Sequence, residues 1–128
     1  MRYLLDTHTF MWADSNPSRL SASAEAVISD PENTILVSLV SIREIQIKHQ
    51  LGKLPLAIPL NQIIERQQSE NALELLPVTL SHILALTDLP FHHRDPFDRL
   101  LIAQAQVEQL TLISHDSIMT QYPVQVLW

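Results

Sequence analysis

Two aspartates stand at the start of a strongly apolar segment, residues 94–105. Asp95 has the features of a helix N-cap, because the Pro96 that follows it suits the first position of a helix. Asp98 then falls at the third helical position, where a carboxylate complements the helix dipole. The residues after Asp98 are so largely apolar that other elements should cover the helix on most sides. The two acids should therefore lie at the mouth of a buried helix, where they could act as simple helix caps or take part in chemistry.

Three more carboxylates stand at predicted boundaries between elements. Asp6 follows a short apolar strand at residues 3–5, and Asp116 follows a second such strand at residues 111–114. Glu44 follows Ser41 at the Ser-x-x-Glu spacing of a capping box, which predicts that a helix begins at Ser41. Each acid has a structural explanation when it is considered alone. Glu44 in particular would reach back to the backbone of its own helix as a capping residue.

The order of the predicted elements determines where these acids meet. Five segments are apolar or alternating enough to form strands: residues 3–5, 34–38, 73–78, 111–114 and 124–128, the last at an edge of the sheet. Helical patterns between them predict one α/β domain over residues 1–128, with three α/β/α layers and a mostly parallel central sheet. The carboxyl ends of parallel strands share one edge, where α/β proteins build their sites. The four acids that we expect to converge at this edge are Asp6, Glu44, Asp98 and Asp116.

The composition excludes several classes of site. The chain has no cysteine, which rules out thiolate zinc sites, cysteine nucleophiles and disulfides, and which agrees with a reducing cytoplasm. One glycine, Gly52, is too few for a phosphate-binding loop or a dinucleotide fingerprint. No apolar run approaches the roughly 18–20 residues that cross a membrane, and Asp6 comes too early for a signal peptide. We therefore expect a cytoplasmic protein without a membrane segment.

The histidines show no metal-binding pattern. His82 lies in a predicted helix at residues 81–89 and is expected to face solvent. The side chains expected to face inward from that helix are Ile83, Leu84 and Leu86. His92 and His93 are neighbours in a predicted loop, where histidines are more often solvated than metal-bound.

Four acids at one edge of a sheet require nearby positive charge. The formal net charge of the chain is −6, which argues against simple electrostatic binding of nucleic acid. Unpaired carboxylates in close proximity repel one another, and their pKa values rise unless cations are bound. Mg²⁺ or Mn²⁺ with oxygen ligands would meet this need, and such ions promote phosphoryl chemistry.

Polar and basic residues near the same edge could complete such a site. Hydroxyl groups that could hydrogen-bond to metal ligands are those of Thr7, Ser38 and Ser114. Basic side chains that could position a phosphate backbone are those of Arg43, Lys48, Lys53, Arg94 and Arg99. A solvated helix face explains any one of these basic residues equally well.

These motifs, taken together and in order, resemble those of the PIN domain. The matching segments are Leu4-Leu5-Asp6-Thr7-His8, Ser41-Ile42-Arg43-Glu44-Ile45 with Ile47-Lys48, Arg94-Asp95-Pro96-Phe97-Asp98-Arg99 with Ala103 and Ala105, and Ile113-Ser114-His115-Asp116 with Tyr122-Pro123. The resemblance covers nearly the whole chain and is closest to the VapC-type toxin ribonucleases of bacterial toxin–antitoxin pairs. In that family the helix acid stands five and seven residues before two alanines, which selects Asp98 rather than Asp95.

The resemblance implies an activity and a set of partners. It implies a ribonuclease that depends on Mg²⁺ or Mn²⁺ and that acts on an RNA substrate. The catalytic and metal-binding quartet that it implies is Asp6, Glu44, Asp98 and Asp116. It further implies a homodimer that a cognate antitoxin protein holds inactive.

Two other functional classes remain open. A receiver domain of a signalling protein is also a small acidic α/β domain with Mg²⁺-binding acids. It needs a neighbouring pair of acids after its first strand and an aspartate after its central strand, and Asp6-Thr7 and Val78-Thr79 provide neither. A non-catalytic interaction module on the same fold would not need the acids at all. Metal-dependent cleavage of RNA by the purified protein would distinguish a nuclease from both.

Overall fold

Five parallel strands lie at the centre of the computed structural model, which describes residues 1–128. They are β1 (Arg2–Leu5), β2 (Thr34–Ser38), β3 (Glu74–Leu76), β4 (Thr111–Ile113) and β5 (Val126–Leu127). Every neighbouring pair is parallel, and the order across the sheet is β3-β2-β1-β4-β5. The last strand is an edge strand, as predicted, and β1 is the central one.

Six α-helices connect and cover these strands. They are α1 (Thr7–Ser15), α2 (Ala22–Ser29), α3 (Leu39–Gln50), α4 (Leu60–Asn71), α5 (Leu80–Ala85) and α6 (Pro96–Glu108). Short 3₁₀ turns lie at Pro17–Arg19, Leu86–Asp88 and Ser117–Gln121. No helix combines the length and apolar character that crossing a membrane requires.

Side chains of the central strands alternate between two apolar cores, because successive residues of a strand point to opposite faces of a sheet. Leu4 of β1 belongs to the core that contains Leu101 of α6. Leu5, the next residue, belongs to the core that contains Phe10 of α1 and Ile63 of α4. Helices therefore bury both faces of the sheet. The predicted α/β/α arrangement with a parallel sheet is confirmed.

The register of the central strands aligns their carboxyl ends. Leu5 of β1 pairs with Val37 of β2 and with Ile113 of β4. The residues that follow these three partners in the chain are Asp6, Ser38 and Ser114. The backbone N–H of Asp6 also donates to the carbonyl of Ile113 at 3.1 Å. Three polar side chains thus leave the sheet side by side at one edge.

The predicted start of α3 at Ser41 is wrong. The helix begins at Leu39, and the hydroxyl of Ser38 caps it by accepting from the N–H of Val40 at 3.0 Å. Ser41 therefore lies inside the helix, and Glu44 lies beyond the first turn, where it cannot form a capping box with Ser41. The strand residue Ser38 caps α3 because the helix follows β2 without a loop.

The predicted inward face of α5 is wrong for Ile83 and Leu84, whereas Leu86, in the 3₁₀ turn that follows the helix, packs against the core as predicted. His82 is fully buried, whereas Ile83 is 45% exposed and Leu84 is 60% exposed. The N–H of Thr79 donates to Nδ1 of His82 at 3.0 Å, and Nε2 lies 3.0 Å from a carboxylate oxygen of Glu108. Both ring nitrogens have partners, so the buried polar ring carries little desolvation penalty.

Candidate active site

Asp6 is buried at the point where β1 passes into α1. It is the N-cap of α1, and its Oδ1 accepts from the N–H of Thr9 at 2.8 Å. Its Oδ2 accepts from the hydroxyl of Ser114 at 2.6 Å. Only 5% of the residue is exposed. Two donors on two different elements therefore fix the orientation of this carboxylate.

Glu44 is also buried, on the side of α3 that faces α1. The hydroxyl of Thr7 donates to its Oε1 at 2.7 Å, and Lys48 donates to its Oε2 at 2.6 Å. The hydrogen bond that Lys48 donates to Glu44 is the main reason that the pKa of Lys48 lies above its usual value. The hydroxyl of Ser41 lies 3.0 Å from that of Thr7. Glu44 is thus held by a neighbour of Asp6 and by a lysine one turn further along its own helix.

Asp95 and Asp98 have different roles at the start of α6. Asp95 is the N-cap, and its Oδ1 accepts from the N–H of Phe97 at 2.8 Å and from that of Asp98 at 3.4 Å. This confirms the predicted cap. The side chain of Asp98 accepts no backbone hydrogen bond and lies 3.1 Å from Nε2 of His93.

The environment of Asp98 disfavours its negative charge. Burial is the main cause, and the charge of Asp95 is the next, followed by those of Glu44 and Asp6. Together they raise the pKa of Asp98 to about 7, against the lowering effect of His93. The charges of three acids, two of which are remote in sequence, thus reach one carboxyl group.

His93 bridges two of the acids, and the expectation that it is solvated is wrong. Its Nδ1 accepts from the backbone N–H of Asp95 at 3.1 Å. Because a backbone N–H can only donate, Nδ1 carries no proton, and the proton of the neutral ring lies on Nε2. This Nε2 is 2.9 Å from Asp116 and 3.1 Å from Asp98. His93 therefore donates to the acid pair. No local pattern indicated this role, apart from the position of His93 two residues before the N-cap of α6.

Asp116 completes the group at the end of β4. Its Oδ1 accepts from the N–H of Ile118 at 3.0 Å, which makes it the N-cap of the following 3₁₀ turn. Its own N–H donates to the hydroxyl of Ser114 at 3.0 Å, and that hydroxyl in turn donates to Asp6. The side chain of Asp116 is 35% exposed, far more than that of Glu44, at 5%. The cluster thus has a buried side and an open side.

The guanidinium of Arg99 is engaged by the loop before α6 and is not available to the acid cluster. It is 8% exposed and donates to the carbonyls of Pro90 at 2.8 Å and Leu89 at 3.2 Å. Its guanidinium carbon lies 4.0 Å from the centre of the Phe91 ring. Arg99 therefore holds the loop before α6, and the predicted role in positioning a phosphate does not fit it.

The other predicted polar residues divide into two groups. Thr7 and Ser114 hydrogen-bond to acids of the cluster, whereas Ser38 caps α3. Of the predicted basic residues, Lys48 contacts Glu44. The side chains that extend into solvent are those of Arg43, Lys53 and Arg94.

The chemical character of the cluster fits a hard divalent cation. Its four acids offer carboxylate oxygens, the donors that Mg²⁺ and Mn²⁺ prefer. Ligand atoms of His93, Asp98 and Asp116 lie within 4.8 Å of one another. Burial is the main cause of the raised pKa of Asp98, and the charges of Asp95, Glu44 and Asp6 add to it, so negative charge accumulates around this carboxyl group.

Comparisons with known proteins agree with this fold. Residues 3–124 match the family model of the PIN domain. VapBC2 from Rickettsia felis, bound to a promoter DNA fragment, has a similar structure, with 18% identity, a TM-score of 0.73 and coverage of 99% of this chain and 98% of that chain. FitAcB from Neisseria gonorrhoeae is also similar, with 18% identity, a TM-score of 0.66 and coverage of 98% of this chain and 96% of that chain. A toxin–antitoxin complex from Klebsiella pneumoniae has 16% identity, a TM-score of 0.62 and coverage of 98% of this chain and 96% of that chain. No curated protein sequence matches the chain.

Proposed function

Because the chain belongs to the PIN domain family, we propose that it is an endoribonuclease dependent on Mg²⁺ or Mn²⁺ and the toxin of a toxin–antitoxin pair. The catalytic and metal-binding residues in this proposal are Asp6, Glu44, Asp98 and Asp116. The similarity of the fold to toxin–antitoxin complexes supports the toxin part of the proposal. The proposal includes a cytoplasmic location, because the cellular RNA that such a toxin would cleave lies there.

One observation carries the nuclease proposal: hydrogen bonds of Ser114, His93 and Thr7 link four acidic residues from separate parts of the chain. Ser114 joins Asp6 to Asp116, and His93 joins Asp116 to Asp98. Glu44 is tied to the residue after Asp6 through the hydroxyl of Thr7. A fold stabilised by its apolar cores alone does not need four acids in one place, because their mutual repulsion opposes folding.

The four acids would have different roles, depending on how deeply each is buried. A bound divalent ion would polarise a phosphodiester oxygen and make a water molecule more acidic. Asp6 has a fixed orientation and would form the inner wall of the site. Asp98 and Asp116 lie on the open side and would face the RNA backbone. Lys48, whose side chain is 42% exposed, would hold the carboxylate of Glu44 in its orientation.

A cognate antitoxin protein is the second partner in this proposal. The Klebsiella pneumoniae structure is described as a toxin–antitoxin complex, and its fold covers 98% of this chain. An antitoxin that covered the open side of the acid cluster would keep RNA out.

A second copy of the chain is the third partner. Helix α5 exposes three large aliphatic side chains: Leu80 at 71%, Leu84 at 60% and Ile83 at 45%. Exposed apolar groups concentrated on one short helix are typical of an interface. A homodimer that packs α5 against its counterpart would remove them from water, and Leu84→Glu would then shift the protein to a monomer in size-exclusion chromatography.

Cleavage of RNA by the purified protein tests the nuclease proposal. We expect cleavage of single-stranded RNA with Mn²⁺ or Mg²⁺ and none with a chelator. Asp6→Asn and Asp116→Asn should each abolish cleavage, while their melting curves in chelator stay at or above that of the unmodified protein, since each removes one repelling charge. Full activity of either variant would contradict the proposed site, and no metal-dependent activity in any protein would favour a non-catalytic module.

A further inference from the structure

Four ring side chains form a cluster beside the acids, on the side of α1. Trp12 stacks on His8, with ring centroids 5.7 Å apart and planes 26° apart. Trp128 lies 5.8 Å from Trp12 and 5.2 Å from His115. His8 and His115 are exposed, and His115 directly precedes Asp116. The ring cluster therefore reaches the open side of the acid site.

A cavity of about 340 Å³ opens next to Trp12. This lies within the range of small-molecule sites, which is roughly 300–1,000 Å³. Its charged lining residues are Arg19 and Lys48, and no carboxylate lines it, although the chain has a net charge of −6. The guanidinium carbon of Arg19 lies 4.8 Å from the centre of the Trp12 ring, and Arg19 forms no ion pair. The cavity therefore offers ring surface and an unpaired cation together.

The cavity is continuous with the acid site. Thr7 and Lys48 both line it, and they are the two residues that hydrogen-bond to Glu44, at 2.7 Å and 2.6 Å. A linear polymer that extends from the acid site past Glu44 would therefore enter the cavity.

We propose that this cavity binds a nucleotide of single-stranded RNA next to the bond that is cleaved. The base packs against the stacked rings of His8 and Trp12, and a neighbouring phosphate pairs with Arg19. Proteins that bind single strands combine aromatic faces with cationic groups in this way, because every base has a π face and every linkage a negative charge. The proposal rests on the ribonuclease function and adds a base-binding subsite to it.

Fluorescence anisotropy tests this subsite directly. The probe is a fluorescein-labelled single-stranded RNA of about ten nucleotides, which is within the range of known single-strand site sizes. All proteins carry Asp6→Asn, so that the RNA is not cleaved, and Mn²⁺ is present. We expect Trp12→Ala to weaken binding by about tenfold or more, which is the usual effect of losing one stacked base. Trp12→Phe, which keeps an aromatic face, should retain most of the affinity.

Two further comparisons separate stacking from charge. Arg19→Ala should weaken binding and reduce its salt dependence. Arg2→Ala, which removes an exposed arginine at the opposite edge of the sheet, should do neither. A series of RNAs, each with an abasic nucleotide at a different position, identifies the base that stacks. One of these RNAs should bind the protein with Trp12 intact as weakly as the unmodified RNA binds the Trp12→Ala variant. For that RNA, Trp12→Ala should cause no additional loss.

The possible results separate this subsite from the nuclease activity. If the unmodified protein cleaves RNA and neither Trp12→Ala nor Arg19→Ala changes KM or RNA affinity, the subsite is wrong and the nuclease proposal stands. If no protein cleaves RNA but Trp12→Ala and Arg19→Ala weaken RNA binding, the subsite stands and the nuclease proposal fails. If RNA affinity is unchanged while the two variants lose a protein partner, the cavity is a protein-docking site and the subsite is overturned. If Trp12→Ala fails to fold, Arg19→Ala still tests the subsite, because unchanged RNA affinity and unchanged salt dependence in that variant would overturn it.

Discussion

The Nε2 atom of His93 lies 2.9 Å from a carboxylate oxygen of Asp116, on the open side of the acid cluster. The same atom lies 3.1 Å from Asp98, so one N–H group stands between two carboxylates that would otherwise repel each other. The backbone N–H of Asp95 fixes the ring in this orientation. In the absence of metal, His93 thus partly supplies the positive potential that the acids require.

His93→Ala should destabilise the metal-free protein. The variant removes the donor that Asp98 and Asp116 share, and we expect a loss of about 1–3 kcal/mol in the free energy of unfolding, the usual cost of leaving such groups unpaired. Urea melts in chelator measure it. The control is His92→Ala, whose exposed ring makes only an edge contact with Tyr122. Equal stability of the two variants would show that the bridge contributes nothing.

Asp95→Ala and Asp98→Ala should fail in different ways. Asp95 caps α6, so its loss should lower stability by about 0.5–2 kcal/mol and leave much of the activity below the melting transition. Asp98 caps nothing, and its environment disfavours its charge, so its loss should leave stability unchanged or higher and remove most of the activity. Denaturant melts and RNA cleavage on both variants decide this. The reverse pattern would make Asp95 the functional acid.

The stability of the metal-free protein should fall as the pH rises from about 4 to about 7 because of Asp98. Its pKa is about 7 when folded and near 3.8 when unfolded, so the folded state binds more protons in this window. The stabilisation is complete below the unfolded value and is lost as the pH passes the folded value. Asp98→Asn should flatten this part of the profile in chelator, measured by urea melts at several pH values. An unchanged profile would contradict the raised pKa.

Arg99→Ala should act on stability and not on RNA affinity. Its buried guanidinium donates to the carbonyls of Pro90 and Leu89, and hydrogen bonds from charged groups contribute about 1.5–3 kcal/mol. Thermal melts and RNA anisotropy should be compared with those of Arg94→Ala, which removes an exposed arginine. A stable Arg99→Ala protein with weak RNA binding would restore the phosphate-positioning role.

Divalent metal should raise the melting temperature. An ion that binds only the folded state stabilises it by about 2.7 kcal/mol at one hundred times its dissociation constant. Melting curves in chelator and in millimolar Mn²⁺ measure this, and Asp116→Asn should reduce the increase. Curves that coincide in the two conditions would exclude metal binding at this site.

The sequence predicted the fold well because its strands and helix boundaries have local signals. The apolar run before Asp6 and the Asp-Pro pair at the start of α6 each determine a structure within a few residues. The predicted convergence of four acids followed from the rule that parallel strands end at one edge. The structure brings Asp98 and Asp116 to one histidine, and Asp6 and Glu44 affect the pKa of Asp98. The roles of the four acids in metal binding and catalysis stay predictions.

The errors lie where tertiary contacts override local patterns. The Ser-x-x-Glu spacing indicated a cap at Ser41, but β2 runs directly into α3 and Ser38 takes that place. His82 and His93 were expected in water, yet each finds partners for both ring nitrogens on distant elements. The identity of those partners depends on packing that no local spacing encodes.

The hydrogen bond between Ser114 and Asp6 joins residues that are 108 positions apart. A ribosome synthesises the chain from its N-terminal end, at about 5–20 residues per second. The first strand, Asp6 and Glu44 are therefore made well before β4, the strand that pairs with β1 and that is followed by Ser114 and Asp116. Until that segment has left the ribosome, the nascent chain cannot assemble the proposed site. A partly synthesised copy would thus be harmless to the RNA of the ribosome that is making it.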